Sequence, residues 1–258
     1  LGTYNSNITG AGSSCVSWNW KAGGSSTSTN SDGNISGTQS VNQTAGFSIT
    51  TYTGNGGSNQ SLGHGLGATP KVYICKRRDN TGQWLVMNTI TDGTLDYLFF
   101  ETSGGKSDSS QTLPTSSLVY LQNGGDANES GGTHVCYAFA EKQGFSKFGN
   151  YVGNGSTNGT YVHLGFRPAY VLCKTSSISG EDWIVSDNKR NPSNETTTAL
   201  FPNSTSGDQS SNSIDMLSNG FKMRTTGTYR NQSGVTYIYM AFAEAPFVNS
   251  SGVPNNAR

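Results

Sequence analysis

The stretches "HVCYAFAE" (His134–Glu141) and "TYIYMAFAE" (Thr236–Glu244) close on the same four residues, about a hundred positions apart. Side chains alternate sides along a strand, so Tyr137 and Phe139 share one face, as do Met240 and Phe242. The alanines between them let a neighbouring layer approach on the other face. Burying each Phe contributes roughly 1.5–3 kcal/mol. Glu141 and Glu244 come as the strand leaves the core, where they either accept backbone hydrogen bonds or stay solvated.

Matches extend outward from these strands in the same order. "GFSITTYTGNG" from Gly46 answers "GFSKFGNYVGNG" from Gly144, and "LGATPKVYICK" from Leu66 answers "LGFRPAYVLCK" from Leu164. Trp84 in "QWLV" answers Trp183 in "DWIV", and "LFFETSGGKSDSS" from Leu98 parallels "LFPNSTSGDQSS" from Leu200. The offset drifts from 98 through 99 to 103, the pattern of a duplicated unit with small loop insertions. The reading is an all-β chain of two tandem β-sandwich, jelly-roll-like repeats at 46–143 and 144–258. Residues 1–45 are read as the end of a preceding repeat plus a Ser/Thr/Gly-rich linker, with "CVSWNWKAGG" (Cys15–Gly24) as an altered AFAE strand that puts Trp18 and Trp20 on one face.

Within each unit, Gly-Asn turns are expected at Asn55-Gly56 and Asn154-Gly155. Pro70 and Pro168 stand at strand starts, where a missing N–H does least harm. "KVYICK" and "AYVLCK" are apolar on both faces, which predicts central strands. Asn219-Gly220 predicts a two-residue hairpin turn between Ile214–Met216 and Phe221–Met223; the first unit has a longer turn around Asn123–Gly125.

Composition agrees with this class. The chain has 258 residues, 34 of them Gly, nearly twice the usual ~7%. Disorder is excluded by 12 Tyr, 11 Phe and 4 Trp in short alternating runs. The 16 basic and 16 acidic side chains cancel, leaving no excess to displace counterions from nucleic acid. No run approaches ~18 apolar residues, so no membrane insertion is expected. A start at Leu1 rather than Met reads as a processed or partial chain. Cys15, Cys75, Cys136 and Cys173 are too few and too apolar in setting for a disulfide framework, and read as small buried hydrophobes.

Chemistry-bearing motifs are sparse. His64 and His163 sit in corresponding glycine-rich turns and His134 has no duplicate; the preferred reading is hydrogen bonding to loop backbone. "GHGLG" lacks the Lys-Ser/Thr ending of a phosphate loop. No nucleophile elbow is present. Asp79, Asp92, Asp96, Glu101, Glu181, Asp182 and Asp187 are scattered, so a glycosidase pair has no sequence support and the chain is not expected to be an enzyme. "NSDGN" (Asn30–Asn34) and "NGGDANES" (Asn123–Ser130) offer oxygen ligands that Ca2+ would accept, but read first as self-closed turns; no cofactor is expected. Trp84 and Trp183 are expected in the core. Unduplicated loop aromatics, Tyr97, Tyr120 and Tyr229, are the candidates for glycan or host contact.

Together, "WNWKAGG", "TAGFSITTYTGNG", "LGHGLGATPKVYICK", "GFSKFGNYVGNGS", "GFRPAYVLCK", "YMAFAEAPF" and the closing "NNAR" resemble a repeat family of marine bacteriophage genomes. Its members are tail-fibre-like or other virion surface proteins, often downstream of a concanavalin-like lectin domain. The resemblance spans about Trp18 to Arg258 and departs at the loop around Asn128 and at "NPSNETTTA". It implies a virion structural protein exposed outside the particle, used for display and host attachment, with "NNAR" as the true C-terminus. Expected partners are other virion proteins and a host surface glycan or receptor. A homo-oligomer is expected, with a trimer as the usual state of such fibres. The alternatives are a stand-alone carbohydrate-binding lectin module and a capsid decoration or head-fibre protein without a receptor role. The resemblance supplies no catalytic residue.

Overall fold

A computed structural model describes residues 16–210 and 213–244. These residues form seventeen strands and no helix. The paired strands are antiparallel throughout.

The AFAE strands are the spines of the two larger sheets. In the first, β10 (Thr133–Phe139) lies between β3 (Phe47–Thr53) and β5 (Val72–Arg77), and β6 (Trp84–Asn88) follows β5. In the second, β17 (Thr236–Ala243) lies between β11 (Ser146–Val152) and β13 (Pro168–Thr175), and β14 (Ile184–Asp187) follows. The matched stretches thus hold the same places in the strand order. Each large sheet backs onto a small one, β4 (Gln60–Gly63) with β9 (Leu118–Leu121) in the first half, and β12 (Tyr161–His163), β16 (Gly220–Met223) and β15 (Ile214–Leu217) in the second.

Three apolar cores explain why the central strands lack a polar face. Tyr73, Cys75, Cys136 and Ala138 point into the core of the first half, and Val171, Cys173, Tyr239 and Ala241 into that of the second. The opposite faces supply Val72, Val86 and Phe139 from one large sheet and Leu172, Met240 and Phe242 from the other to a shared core. The layers run small sheet, large sheet, large sheet, small sheet. "KVYICK" and "AYVLCK" are buried on both sides because each inner sheet is covered twice. Polar contacts join the halves at the rim. Asn150 Nδ2 donates to the Ile90 and Thr91 carbonyls at 2.7 and 2.9 Å, and Lys106 N donates to Ser176 O at 2.9 Å.

Several local expectations change. The stretch read as a linker supplies β1 (Ser28–Asn30) and β2 (Gly37–Asn42), which extend the first sheet beyond β3. Its Ser and Thr side chains suit an edge ribbon with one wet face, and Ile35 anchors it in the first core. On the other side β7 (Asp96–Phe99) and β8 (Ser107–Asp108) continue from β6, giving eight strands. Residues 16–22 form no strand, although Trp18 and Trp20 do pack together against Tyr170. The second-half hairpin turns on Ser218-Asn219, since Leu217 pairs with Gly220. Gly220 is needed for a different reason: a Cβ there would lie 2.1 Å from the Val162 carbonyl oxygen of β12. Gly56 and Gly155 adopt φ of 71° and 65°, as the Asn-Gly turns require.

Trp84 departs from its core assignment. Trp183 is 2% exposed and its Nε1 donates to Phe99 O at 3.0 Å across the shared core, whereas Trp84 is 38% exposed. Trp183 packs with Val72, Val86 and Phe100 of the first half in the shared core, whereas Trp84 lies outside that core, an offset between the two large sheets. Cys75, Cys136 and Cys173 are buried free thiols; Cys15 lies outside the described residues.

Candidate functional site

At one end of the shared core the second sheet presents Tyr170 and Phe242, cross-strand neighbours on β13 and β17. Residues 16–22 run across this end, tied down where Asn42 Nδ2 donates to Lys21 O at 3.0 Å. Trp20 stands edge-on to Tyr170 and Phe242, with centroids 5.4 and 5.2 Å away, and Trp18 is edge-on to Tyr170 at 5.5 Å. The rings bound an open cleft of about 490 Å3 whose rim carries Lys21, Asn42, Asp187, Asn188, Lys189 and Glu244. Both indoles are half-buried, leaving aromatic surface in the cleft.

The rim is electrostatically prearranged. Asp187 faces Tyr170 across the β13–β14 ladder and grips Arg190, whose Nε lies 2.6 Å from Asp187 Oδ2. Burial alone would raise the Asp187 pKa, but the Arg190 backbone N–H and guanidinium, with the Lys189 N–H, bring it below the usual carboxylate range. Thus fixed, Arg190 lies over Trp18, its Cζ 5.7 Å from the ring centroid. Glu244 pairs with Lys189 and accepts from Asn188 Nδ2 at 3.1 Å. The Lys189 hydrogen bond, aided by Asn188 and the charge of Arg167, keeps its carboxyl low. Both carboxylates are held ionised, so neither is poised as a general acid. The cleft combines aromatic surface with a rim of hydrogen-bonding and charged groups.

A larger open groove of about 670 Å3, along β1, β2 and residues 21–28, has hydroxyls and amides but neither an aromatic ring nor a carboxylate.

The expected contact residues lie apart from the cleft. Tyr97, on β7, packs edge-on to Phe99 with centroids 5.7 Å apart. Tyr120 is on β9 in the small sheet, its carbonyl accepting from Tyr73 OH at 2.7 Å. Tyr229 lies against Phe201 at 4.7 Å. All three are half-buried, and no ring contact joins any two of them. Trp18 and Trp20 were visible in the sequence as a paired face; Tyr170 and Phe242 were legible only as strand residues.

The histidines serve the loops. Buried His64 accepts from Leu66 N at 3.2 Å and meets Thr115 O at 3.3 Å, and burial lowers its pKa. His134 is buried, bonded to Gly132 O at 3.0 Å and stacked on Tyr52. His163 is exposed beside Tyr161. In "NSDGN", Asn30 Oδ1 accepts from Asp32 N at 2.9 Å, closing its own turn; in "NGGDANES", Asp126 Oδ1 accepts from Gln83 N at 2.6 Å. Among the described residues, one trio of acidic groups is close enough to share an ion, Asp92, Asp96 and Asp108. The Lys106 ammonium already reaches these three at 2.8, 2.9 and 2.6 Å. Glu141, at the end of the first AFAE strand, accepts from Phe148 N at 2.7 Å.

Two keystones were missed: Asn128 sits in a loop where the sequence departs from the family resemblance, and Asn231 in a polar stretch that carries no motif. Buried Asn128 Oδ1 accepts from Asn55 N, and buried Asn231 Oδ1 accepts from Asn154 N, each at 3.0 Å, so one side chain closes each Asn-Gly turn.

No curated protein and no solved structure matches this chain. A family model matches residues 1–246, nearly the whole sequence, and the chain therefore belongs to the family described as "Domain of unknown function (DUF7483)".

Proposed function

We propose that this chain is a non-enzymatic attachment module of a bacteriophage surface fibre, and that the Trp18–Trp20–Tyr170 cleft binds a host surface glycan. The observation carrying the binding role is the cleft itself: two half-buried indoles and a tyrosine beside a rim of amides, carboxylates and ammonium groups. An indole face matches the apolar C–H face of a pyranose, and the rim groups match its hydroxyls. The virion setting rests on the family resemblance carried by the repeated sequence stretches. Neutral net charge and an abundance of Gly, Ser and Asn fit a display protein packed beside copies of itself, since few charges need desolvation. Weak sugar contacts repeated around an oligomer would give avidity without a deep pocket.

The test combines a glycan array with titration calorimetry on the binding glycan. Wild-type protein should bind a defined host polysaccharide, and Trp18→Ala and Trp20→Ala should each weaken it at least tenfold while the melting curve stays cooperative. Binding unaffected by both substitutions overturns the cleft assignment. Immunogold labelling of purified particles tests the setting: label on fibres supports it, and its absence from particles refutes it.

A further inference from the structure

The offset between the large sheets exposes one row of side chains on the first. By register, Ile49 on β3, Tyr137 on β10 and Ile74 on β5 stand side by side, and Trp84 lies one step along on β6, opposite Lys76. The matching row of the second sheet is Phe148, Met240, Leu172 and, just before β14, Trp183. Those four are 2–6% exposed, sealed by the first half. In the first sheet Ile49, Tyr137 and Ile74 are half-buried and Trp84 is 38% exposed.

We propose that Ile49, Tyr137, Ile74 and Trp84 form a self-association surface covered by a second copy of this chain. Three observations favour that occupant. The row is continuous with a sheet-on-sheet contact of this chain, because Ile49, Ile74 and Tyr137 already pack at the edge of the shared core, so a second copy's sheet would extend a packing mode the fold already uses. Trp84 is stacked on Tyr137 at 6.2 Å with an interplanar angle of 22°, a supported aromatic of the kind that anchors interfaces. Both signs flank Trp84: the Lys76 ammonium lies over its ring, 6.0 Å from the centroid, and the Glu101 carboxylate accepts the Trp84 backbone N–H at 3.0 Å. A patch with both charges at its border can meet its own two-fold image without like-charge conflict. Neither described groove includes any of the four residues, so the surface suits another protein face more than a small ligand.

Sedimentation equilibrium from low micromolar to several hundred micromolar protein tests this. Wild type should self-associate, and Trp84→Ser and Tyr137→Ser should each weaken association at least tenfold, with unchanged melting at low concentration showing that the fold is kept. A wild type that stays monomeric throughout overturns the proposal. So does association unaffected by either substitution. Loss of glycan binding in Trp84→Ser with unchanged mass would make the row a ligand platform and equally refute it. The Trp18 and Trp20 variants should associate normally, which separates this surface from the cleft.

Discussion

Replacing Trp183 and Trp84 by alanine places one chemical change at two positions that correspond in strand register and differ in burial. Trp183 is 2% exposed, is 5.2 Å from Phe100 between ring centroids, and its N–H satisfies the Phe99 carbonyl. Truncating a buried Trp costs about 3–5 kcal/mol through lost transfer energy and the cavity left behind. The Phe99 carbonyl keeps the Thr102 N–H at 3.4 Å, so losing the indole donor adds little and the Trp183→Ala loss should be at least about 3 kcal/mol. Trp84 loses its stacking on Tyr137, about 1 kcal/mol, and the transfer energy of its partly buried ring, about 1 kcal/mol more. For a chain this size the larger loss lowers Tm by roughly 10 °C and the smaller by about 5 °C. Urea unfolding followed by circular dichroism, at micromolar protein so that association does not contribute, measures both. Trp183→Phe isolates the hydrogen bond, retaining a ring but losing the donor, and should fall between them. Equal losses at Trp183 and Trp84 would refute the reasoning, because they would mean that the sheets do not seal Trp183.

Asn231→Ala removes a buried amide whose Nδ2 donates to Asn154 Oδ1, Ser156 O and Thr225 O, and should cost about 3 kcal/mol in the urea midpoint. Lys174 is fully buried, and burial pushes its pKa down to about 8 against the opposing pull of Asp182 and Glu181. Below pH 8 the ammonium is present in both states and its burial cost is felt in full. Between pH 8 and ~10.4 the folded state loses its proton first, so stability should rise by at most about 3 kcal/mol. Lys174→Met should abolish that rise. Above pH 10 the buried tyrosines act the other way: burial raises Tyr73 and Tyr151, so stability falls as they ionise more readily unfolded. Lys106→Met leaves three carboxylates together around buried Asp96, whose pKa burial already raises. Its stability deficit at pH 7 should shrink as the pH falls and Asp96 takes up a proton, measured as urea midpoints of wild type and variant between pH 4 and 7.

What the sequence made legible is what local pattern controls. Alternation in "YAFAE" and "MAFAE" separates Phe139 and Phe242 from the alanines, and the doubly apolar runs around Cys75 and Cys173 predict strands covered on both faces. The offset of the sheets was hidden, because it is a property of two surfaces meeting and no single strand encodes it; Trp84 and Trp183 read identically for that reason. The cleft was half visible. Trp18 and Trp20 announce a paired aromatic face, but Tyr170 joins them only through tertiary packing, while Tyr97, Tyr120 and Tyr229 stood out by being unduplicated and are held by local neighbours. Residues 28–42 read as linker because Ser, Thr and Asn are common to loops and to solvated edge strands, and only pairing with β3 separates the two.

Positions that correspond in strand register are filled differently in the two halves. In the first core Tyr73 pairs across strands with Met87, and Tyr52 OH donates to Ala127 O. In the second, Val171 pairs with Ser186, Tyr151 OH donates to Arg230 O, and the fully buried Arg230 reaches back so that its Nη2 bonds Ser186 Oγ at 2.9 Å. A guanidinium thus stands where the first half spends a phenol and a thioether, and the backbone contacts around it are kept. The same register sets Val72 of the first sheet against Tyr170 of the second: Val72 is 1% exposed in the shared core, while Tyr170 reaches the cleft and is met by Trp18 and Trp20. Trp84 and Trp183 differ in the opposite sense. Each half therefore carries one aromatic that the sheet-on-sheet contact leaves uncovered, at a different place, and the cleft and the Trp84 row are the two surfaces that this arrangement opens.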